Sequence, residues 1–186
     1  MLSNRPKLLY KLSWKDDVMR RTAEEMLHPD ALDARLVQLL GEHPRIGVLG
    51  AARMLGVARA TVQSRLDRLV EAGVLSLAPR LDPARFGFPV SALVSLELQQ
   101  SHLGTPAAEA IQEIPEVIEI HSVSGQADLL VRVVARSNED LQRVLHQLLG
   151  VEQVLRTSSS ILLKTFLRER PEAIFAAAAA DATDVP

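Results

Sequence analysis

Residues 45–75 read RIGVLGAARMLGVARATVQSRLDRLVEAGVL, and the placing of glycine within this stretch decides the fold. Gly56 follows the apolar run Leu49, Ala52 and Leu55, and Gly73 closes a run in which Val62, Leu66, Leu69 and Val70 share one helical face. The spacing predicts helices over residues 48–55 and 59–72, joined by a short glycine turn. That is the helix-turn-helix layout, in which the second helix enters the major groove of DNA. The outer face of that helix carries Arg59, Thr61, Gln63, Ser64, Arg65 and Arg68, all able to reach phosphates or base edges. Thr61, Ser64, Arg65 and Arg68 are expected to face DNA, with Arg59 nearer the phosphates, while Val62, Leu66 and Leu69 pack inward. Double-stranded DNA is the partner this pattern implies.

Working outward, Asp30 is placed to cap a helix that starts at Ala31, and Asp33 at its third position suits the helix dipole. Leu32, Leu36, Leu39 and Leu40 form that helix's apolar stripe, and Pro44 ends it. Residues 75–81 read as a strand, the usual wing, so residues 30–80 are a candidate winged helix-turn-helix domain. Residues 1–29 form an N-terminal extension. A helix over 15–27 would end before Pro29, and the segment would pack on its neighbour, support a dimer, or lend Lys7, Lys11 and Lys15 to DNA.

Beyond a linker at 81–87 the period changes. Val90, Ala92, Val94, Leu96 and Leu98 alternate with Ser91, Leu93, Ser95 and Glu97, a strand pattern. Thr105-Pro106 opens a helix, with Ala107, Ala108, Ile111 and Ile114 on its buried side. Strands follow at 117–124 and 129–135, joined by Gly125-Gln126-Ala127. Ser137 to Asp140 is a capping box, and Leu141, Val144, Leu145, Leu148 and Leu149 give an amphipathic helix. A last strand is expected over 154–167. The order β-α-β-β-α-β predicts a ferredoxin-like domain over residues 88–167 and an α+β chain overall. Leu93, Leu129, Val131, Ile161 and Leu163 suggest that neither sheet face is fully polar, so a homodimer burying the second face is expected. Residues 168–186 are alanine-rich and read as a frayed helix running into a disordered tail.

Charge is divided to match. The net charge is −2 over 186 residues, yet residues 45–80 hold six arginines against Asp67 and Glu71, and residues 81–186 hold eight basic and fourteen acidic side chains. Positive charge therefore gathers on the candidate reading segment, as phosphate neutralisation requires. A merely solvated arginine-bearing helix face would give the same charge count. The 47% apolar and 24% charged composition is that of an ordinary globular chain. The absence of cysteine excludes disulfides, thiolate metal sites and a cysteine nucleophile. No run approaches the ~18 apolar residues of a membrane-spanning helix, and the apolar stretch near the start is broken at Lys11, so no membrane association is expected and the cytoplasm is the expected compartment.

On PDALDARLVQLL, on the 45–75 block, and on HSVSGQADLLVRVV with LLGVEQVLRTSSSILL, the chain resembles the Lrp/AsnC (feast/famine) family of transcriptional regulators over residues 30–167. The resemblance implies that the ferredoxin-like half (the RAM domain) forms the dimer, with tetramers or octamers as larger assemblies. It also implies that an amino acid or related metabolite binds between these domains and shifts assembly or DNA affinity. No other cofactor and no metal is expected. The residues permit such a site. Ser124, Gly125, Gln126 and Asp128 form a turn whose backbone N–H groups could hold a carboxylate while Asp128 pairs with an ammonium. Equally, Asp128 could simply bond local backbone in a hairpin turn. Thr157, with Ser158, is a further candidate on the last strand. Two departures stand out: Ala58 occupies the place where the family often has a serine cap, and Gly50 interrupts the first helix of the pair.

Two other functions share parts of the pattern. Sirohaem decarboxylases resemble this family in layout, and His121 and His102 are the residues that chemistry would need; His121 is equally a structural histidine on a strand. No Ser/His/Asp grouping, metal-ligand spacing or phosphate loop appears, so the chain is not expected to be an enzyme. A low-specificity architectural DNA binder would show weak sequence preference and a steep salt dependence.

Overall fold

The computed structural model describes residues 27–99 and 104–181, which fall into two compact units. Among the described residues, the first comprises 27–78 together with 169–181, and the second comprises those between Pro79 and Arg168.

The first unit is built on three helices, α1 (Ala31–Glu42), α2 (Val48–Leu55) and α3 (Arg59–Glu71). Asp30 caps α1 as expected: its Oδ1 accepts from the amides of Leu32 and Asp33, both at 2.9 Å. Asp33 Oδ2 reciprocates by accepting from the Asp30 amide at 3.0 Å, completing a capping box. Gly56 ends α2 at φ +72°, and its amide and that of Val57 both donate to the Ala52 carbonyl. Gly73 turns the chain after α3 at φ +67°. Side chains at such angles meet steric strain, which is why both reversals fall on glycine. Gly50 is explained by packing, since a Cβ there would lie 2.9 Å from Cγ1 of Ile46. Leu36, Leu39, Ala51, Ala52, Leu55, Val62 and Leu69 make the core. Leu66 is half-buried, and Val70, expected on the inner face, is exposed.

One expectation at the edge of this unit is corrected. No strand forms over residues 75–81. Pro79 offers no amide donor, the Ser76 hydroxyl engages the Ala78 amide at 3.2 Å, and the Leu75 amide turns back to the Leu69 carbonyl. At the other end, the alanine-rich segment forms a helix as expected, α6 (Glu172–Asp181), and this helix packs against α1. The expected helix over 15–27 and the tail beyond Asp181 lie outside the described residues, apart from Leu27 itself.

The second unit opens with a short 3-10 turn, Pro83–Phe86, followed by β1 (Val90–Leu98), α4 (Gly104–Ile111), β2 (Val117–Ser122), β3 (Leu129–Ala135), α5 (Asn138–Leu149) and β4 (Val154–Ile161). The sheet order is β2-β3-β1-β4, every neighbouring pair antiparallel, so the expected βαββαβ order is a ferredoxin-like sheet. Ala92, Val94, Leu96 and Leu98 alternate inward and pack with Val131, Val133, Ala107, Ile111, Leu141, Val144 and Leu148. Ser137 caps α5 through the Asp140 amide at 3.1 Å.

Strand β4 stops at Ile161 rather than 167. Its last partner is Ala92, the Leu162 amide still reaches the Ser91 carbonyl, and Pro89 cannot extend the ladder because it lacks an N–H. The register also reassigns the sheet faces. Leu129 and Val131 oppose Leu96 and Val94 on the packed face, and Leu163 lies past the strand end. The other face carries Leu93 and Leu130 among Ser91, Ser95, Ser158, Ser160, Glu119, His121 and Arg132.

Candidate functional site

Helix α3 presents Arg59, Gln63, Ser64 and Arg68 to solvent, with Thr61 and Arg65 partly exposed. Ala60, Thr61, Ser64, Arg65 and Arg68 line one shallow concavity on this surface. Ala58 makes no side-chain cap, so the first turn of α3 lacks the serine-type partner common at such positions. Gln63 is engaged within the helix, donating from Nε2 to Asp67 Oδ1 at 2.8 Å.

The two arginines nearest the centre of α3 have intramolecular partners. Arg65 Nη1 donates to Asp30 Oδ2 at 2.5 Å and to Asp33 Oδ1 at 2.9 Å. Arg68 Nη2 donates to Asp33 Oδ2. Asp33 is fully buried, whereas the Arg65 and Arg68 side chains keep 26% and 47% of their surface. A buried carboxylate is tolerable when paired with fixed donors, and here two guanidiniums and the α1 capping box supply them. Burial pushes the Asp30 carboxyl up, but the Arg65 hydrogen bond, backbone amides and Arg65 charge outweigh it and hold it below the ordinary range. The same bonds to Asp30 and Asp33 raise the Arg65 guanidinium.

Sequence reading found the two arginines but not their carboxylate anchor. The signal was present: Asp33 lies three residues before Leu36 and seven before Leu40, on the apolar stripe of α1. A carboxylate placed there requires a cation from a facing helix.

The turn after β2 has the expected residues at its tip. Ser124, Gly125 and Gln126 are exposed, and Gly125 takes φ +121°. Asp128 sits at the base, where Oδ2 accepts from the Leu98 amide at 2.8 Å and its own amide donates to the Leu96 carbonyl at 2.9 Å. One carboxylate oxygen is therefore committed to the backbone of β1. Thr157 opposes Leu96 from β4, on the other flank of β1 from β3. Two strand spacings, about 10 Å, separate the positions flanking β1, so Thr157 and the turn are not adjacent.

His121 lies on the sheet face opposite the packed one, with Nε2 3.6 Å from Glu119 Oε2, and Glu119 also pairs with Arg132 at 2.8 Å. His102 and the N-terminal lysines lie outside the described residues. No cluster of metal-ligating side chains and no helix long and apolar enough to cross a membrane occurs among the described residues.

Comparison with known proteins agrees with both halves. Residues 30–70 match the AsnC-type helix-turn-helix domain, and residues 90–172 match the Lrp/AsnC ligand binding domain. An uncharacterised HTH-type transcriptional regulator of Pyrococcus horikoshii is 30% identical over 142 residues, spanning 73% of this chain and 95% of that one. The HTH-type transcriptional regulator AldR of Mycolicibacterium smegmatis is 30% identical over 139 residues, spanning 73% of this chain and 81% of that protein. Among solved structures, the feast or famine regulatory protein from M. tuberculosis complexed with L-methionine is 30% identical, with a TM-score of 0.67 over 76% of this chain and 96% of that one. Escherichia coli AsnC shares the fold at a TM-score of 0.71 over 77% of this chain and 97% of that one, with 23% identity. The helix-turn-helix with its glycine reversals, the βαββαβ sheet and these matches lead to one conclusion: the chain belongs to the Lrp/AsnC family of DNA-binding transcriptional regulators.

Proposed function

We propose that this regulator binds a specific operator through α3 and that an amino acid modulates its assembly or its DNA affinity. The observation that carries the DNA reading is the anchoring of α3 to α1 by Asp33, which fixes the helix while leaving Arg59 and Ser64 exposed and Thr61 partly exposed on its outer face. Arg59 acts as a phosphate contact. Thr61 and Ser64 read base edges, with Gln63 contributing when it releases Asp67. Arg65 and Arg68 reach DNA through the N–H groups not spent on Asp30 and Asp33.

The amino-acid reading is supported by related proteins solved as L-methionine complexes, from M. tuberculosis and from Neisseria meningitidis. In this chain the ligand's carboxylate would meet the exposed turn of Ser124, Gly125 and Gln126. The free oxygen of Asp128 would meet the ammonium, and Thr157 would contribute from a neighbouring domain. A homodimer formed through the sheet face that carries Leu93 and Leu130 suits these residues, whose surroundings of hydroxyls and ion pairs can be satisfied across an interface. The chain acts by binding rather than catalysis, in the cytoplasm.

Selection from a randomised duplex library, with and without a mixture of the common L-amino acids, tests this reading. A single enriched motif whose recovery shifts with the amino acids supports it. Retention of all sequences alike would favour an architectural role, and no retention at low salt would remove the DNA reading.

A further inference from the structure

We propose that helix α6 is an integral part of the DNA-binding unit and that Phe175 is a positioning residue for the recognition helix, acting through α1. This rests on α3 being the DNA-reading helix.

Residues 173–181 of α6 lie beyond both matched family domains, which end at residues 70 and 172. The chain nevertheless leaves the first unit at Ala78 and rejoins it at Glu169. Phe175 packs against the cluster containing Leu36 and Leu39 of α1 and Val62 and Leu69 of α3. Ala179, one helical turn further on, is 1% exposed, so the two residues mark one docked face. The helix starts cleanly, the Phe175 amide donating to the Pro171 carbonyl at 2.9 Å. The run of five alanines after Phe175 favours helix and allows close approach to α1.

A three-helix unit of this size buries little apolar surface, so one added aromatic side chain weighs heavily in its core. The apolar residues of α1 extend round the helix from Leu36 and Leu39 to Val37 and Leu40, more than one neighbour can cover, and α1 packs on both α2 and α6. The first turn of α1 carries Asp33, which holds Arg65 and Arg68. Phe175 therefore bears on α3 by two routes, the shared core and the seating of the helix that anchors its arginines.

The full-length chain with p-benzoylphenylalanine at position 175 tests the docking without DNA. Irradiation is expected to give a product of single-chain mass, with the cross-link mapped to α1, α2 or α3. Cross-links confined to residues 79–168, or joining two chains, would overturn the proposal. Positioning is tested with Phe175→Ala and Phe175→Leu at a temperature where circular dichroism shows each variant fully folded.

Hydrogen exchange of the α3 amides is expected to speed up in Phe175→Ala and to return towards wild type in Phe175→Leu. Affinity for a duplex that wild type binds is expected to fall about tenfold in the alanine variant and to recover largely in the leucine variant. Unchanged α3 exchange and affinity in folded Phe175→Ala would reduce Phe175 to a purely stabilising residue and refute the positioning role. If wild type binds no duplex, the DNA reading itself fails, while the cross-link and exchange results still decide the docking.

Discussion

Arg65 Nη1 lies 2.9 Å from Asp33 Oδ1, joining the recognition helix to the first turn of α1 across 32 residues of sequence. Because Arg68 meets the other oxygen of the same buried carboxylate, the orientation of α3 is coupled to the start of α1. Removing one partner of a buried pair strands the other, at a cost near 3–5 kcal/mol when both are fully buried. The guanidiniums here are partly exposed, so Asp33→Ala is expected to lose roughly 2–3 kcal/mol, measured by urea denaturation of the first unit. Asp33→Asn should recover part of this loss, since an amide oxygen still accepts.

The same geometry separates the arginines of α3 by role. Arg59 is exposed and has no carboxylate partner among the described residues. Arg59→Ala is therefore expected to keep its melting temperature while weakening all duplexes alike, with the salt slope reduced by about 1. Arg65→Ala should lose thermal stability and DNA affinity together. Parallel melting and anisotropy titrations distinguish the two, and an unstable Arg59→Ala would contradict the assignment.

Gly56 and the other glycine reversals were legible because positive φ leaves a mark in composition, and strand β1 because its alternation is unbroken from Val90 to Leu98. What sequence could not supply were facts about partners. The wing segment and the 162–167 extension have strand-like residues, yet a ladder needs an N–H donor as well as an acceptor on each side, and Pro79 within the wing and Pro89 opposite the extension supply no donor. Helix α6 reads as helical but frayed because its alanines carry no periodic pattern; its docking depends on an apolar seat on a distant helix. At the 124–128 turn, the residue types were legible, but the commitment of Asp128 Oδ2 to the Leu98 amide depends on a strand pairing 30 residues away.

Gly56→Ala places a Cβ in the left-handed region at φ +72°. No neighbouring atom lies within 4 Å of it, so the cost is conformational and is expected at about 1–2 kcal/mol. Thermal denaturation should show a fall of several degrees without loss of helical signal in the folded state. A variant as stable as wild type would mean that the turn relaxes to another conformation.

Acid should loosen the α1–α3 junction. The folded-state pKa of Asp30 lies below its ordinary value of 3.8. Its contribution to stability is therefore complete above pH 3.8 and is lost as pH falls through the lower folded value. Melting temperatures of wild type and Asp30→Asn should differ near neutrality and converge as the pH drops below that value. A difference that persists unchanged in acid would show that the carboxylate charge is not what Arg65 uses.

The most direct test of the central claim is binding of the purified protein to labelled DNA from upstream of its own gene, beside a scrambled duplex, across a salt series. A specific regulator is expected to prefer the native segment by ~10³ or more, with both affinities falling as salt rises. Equal affinity for the two duplexes, or no binding at low salt, would contradict operator recognition by α3.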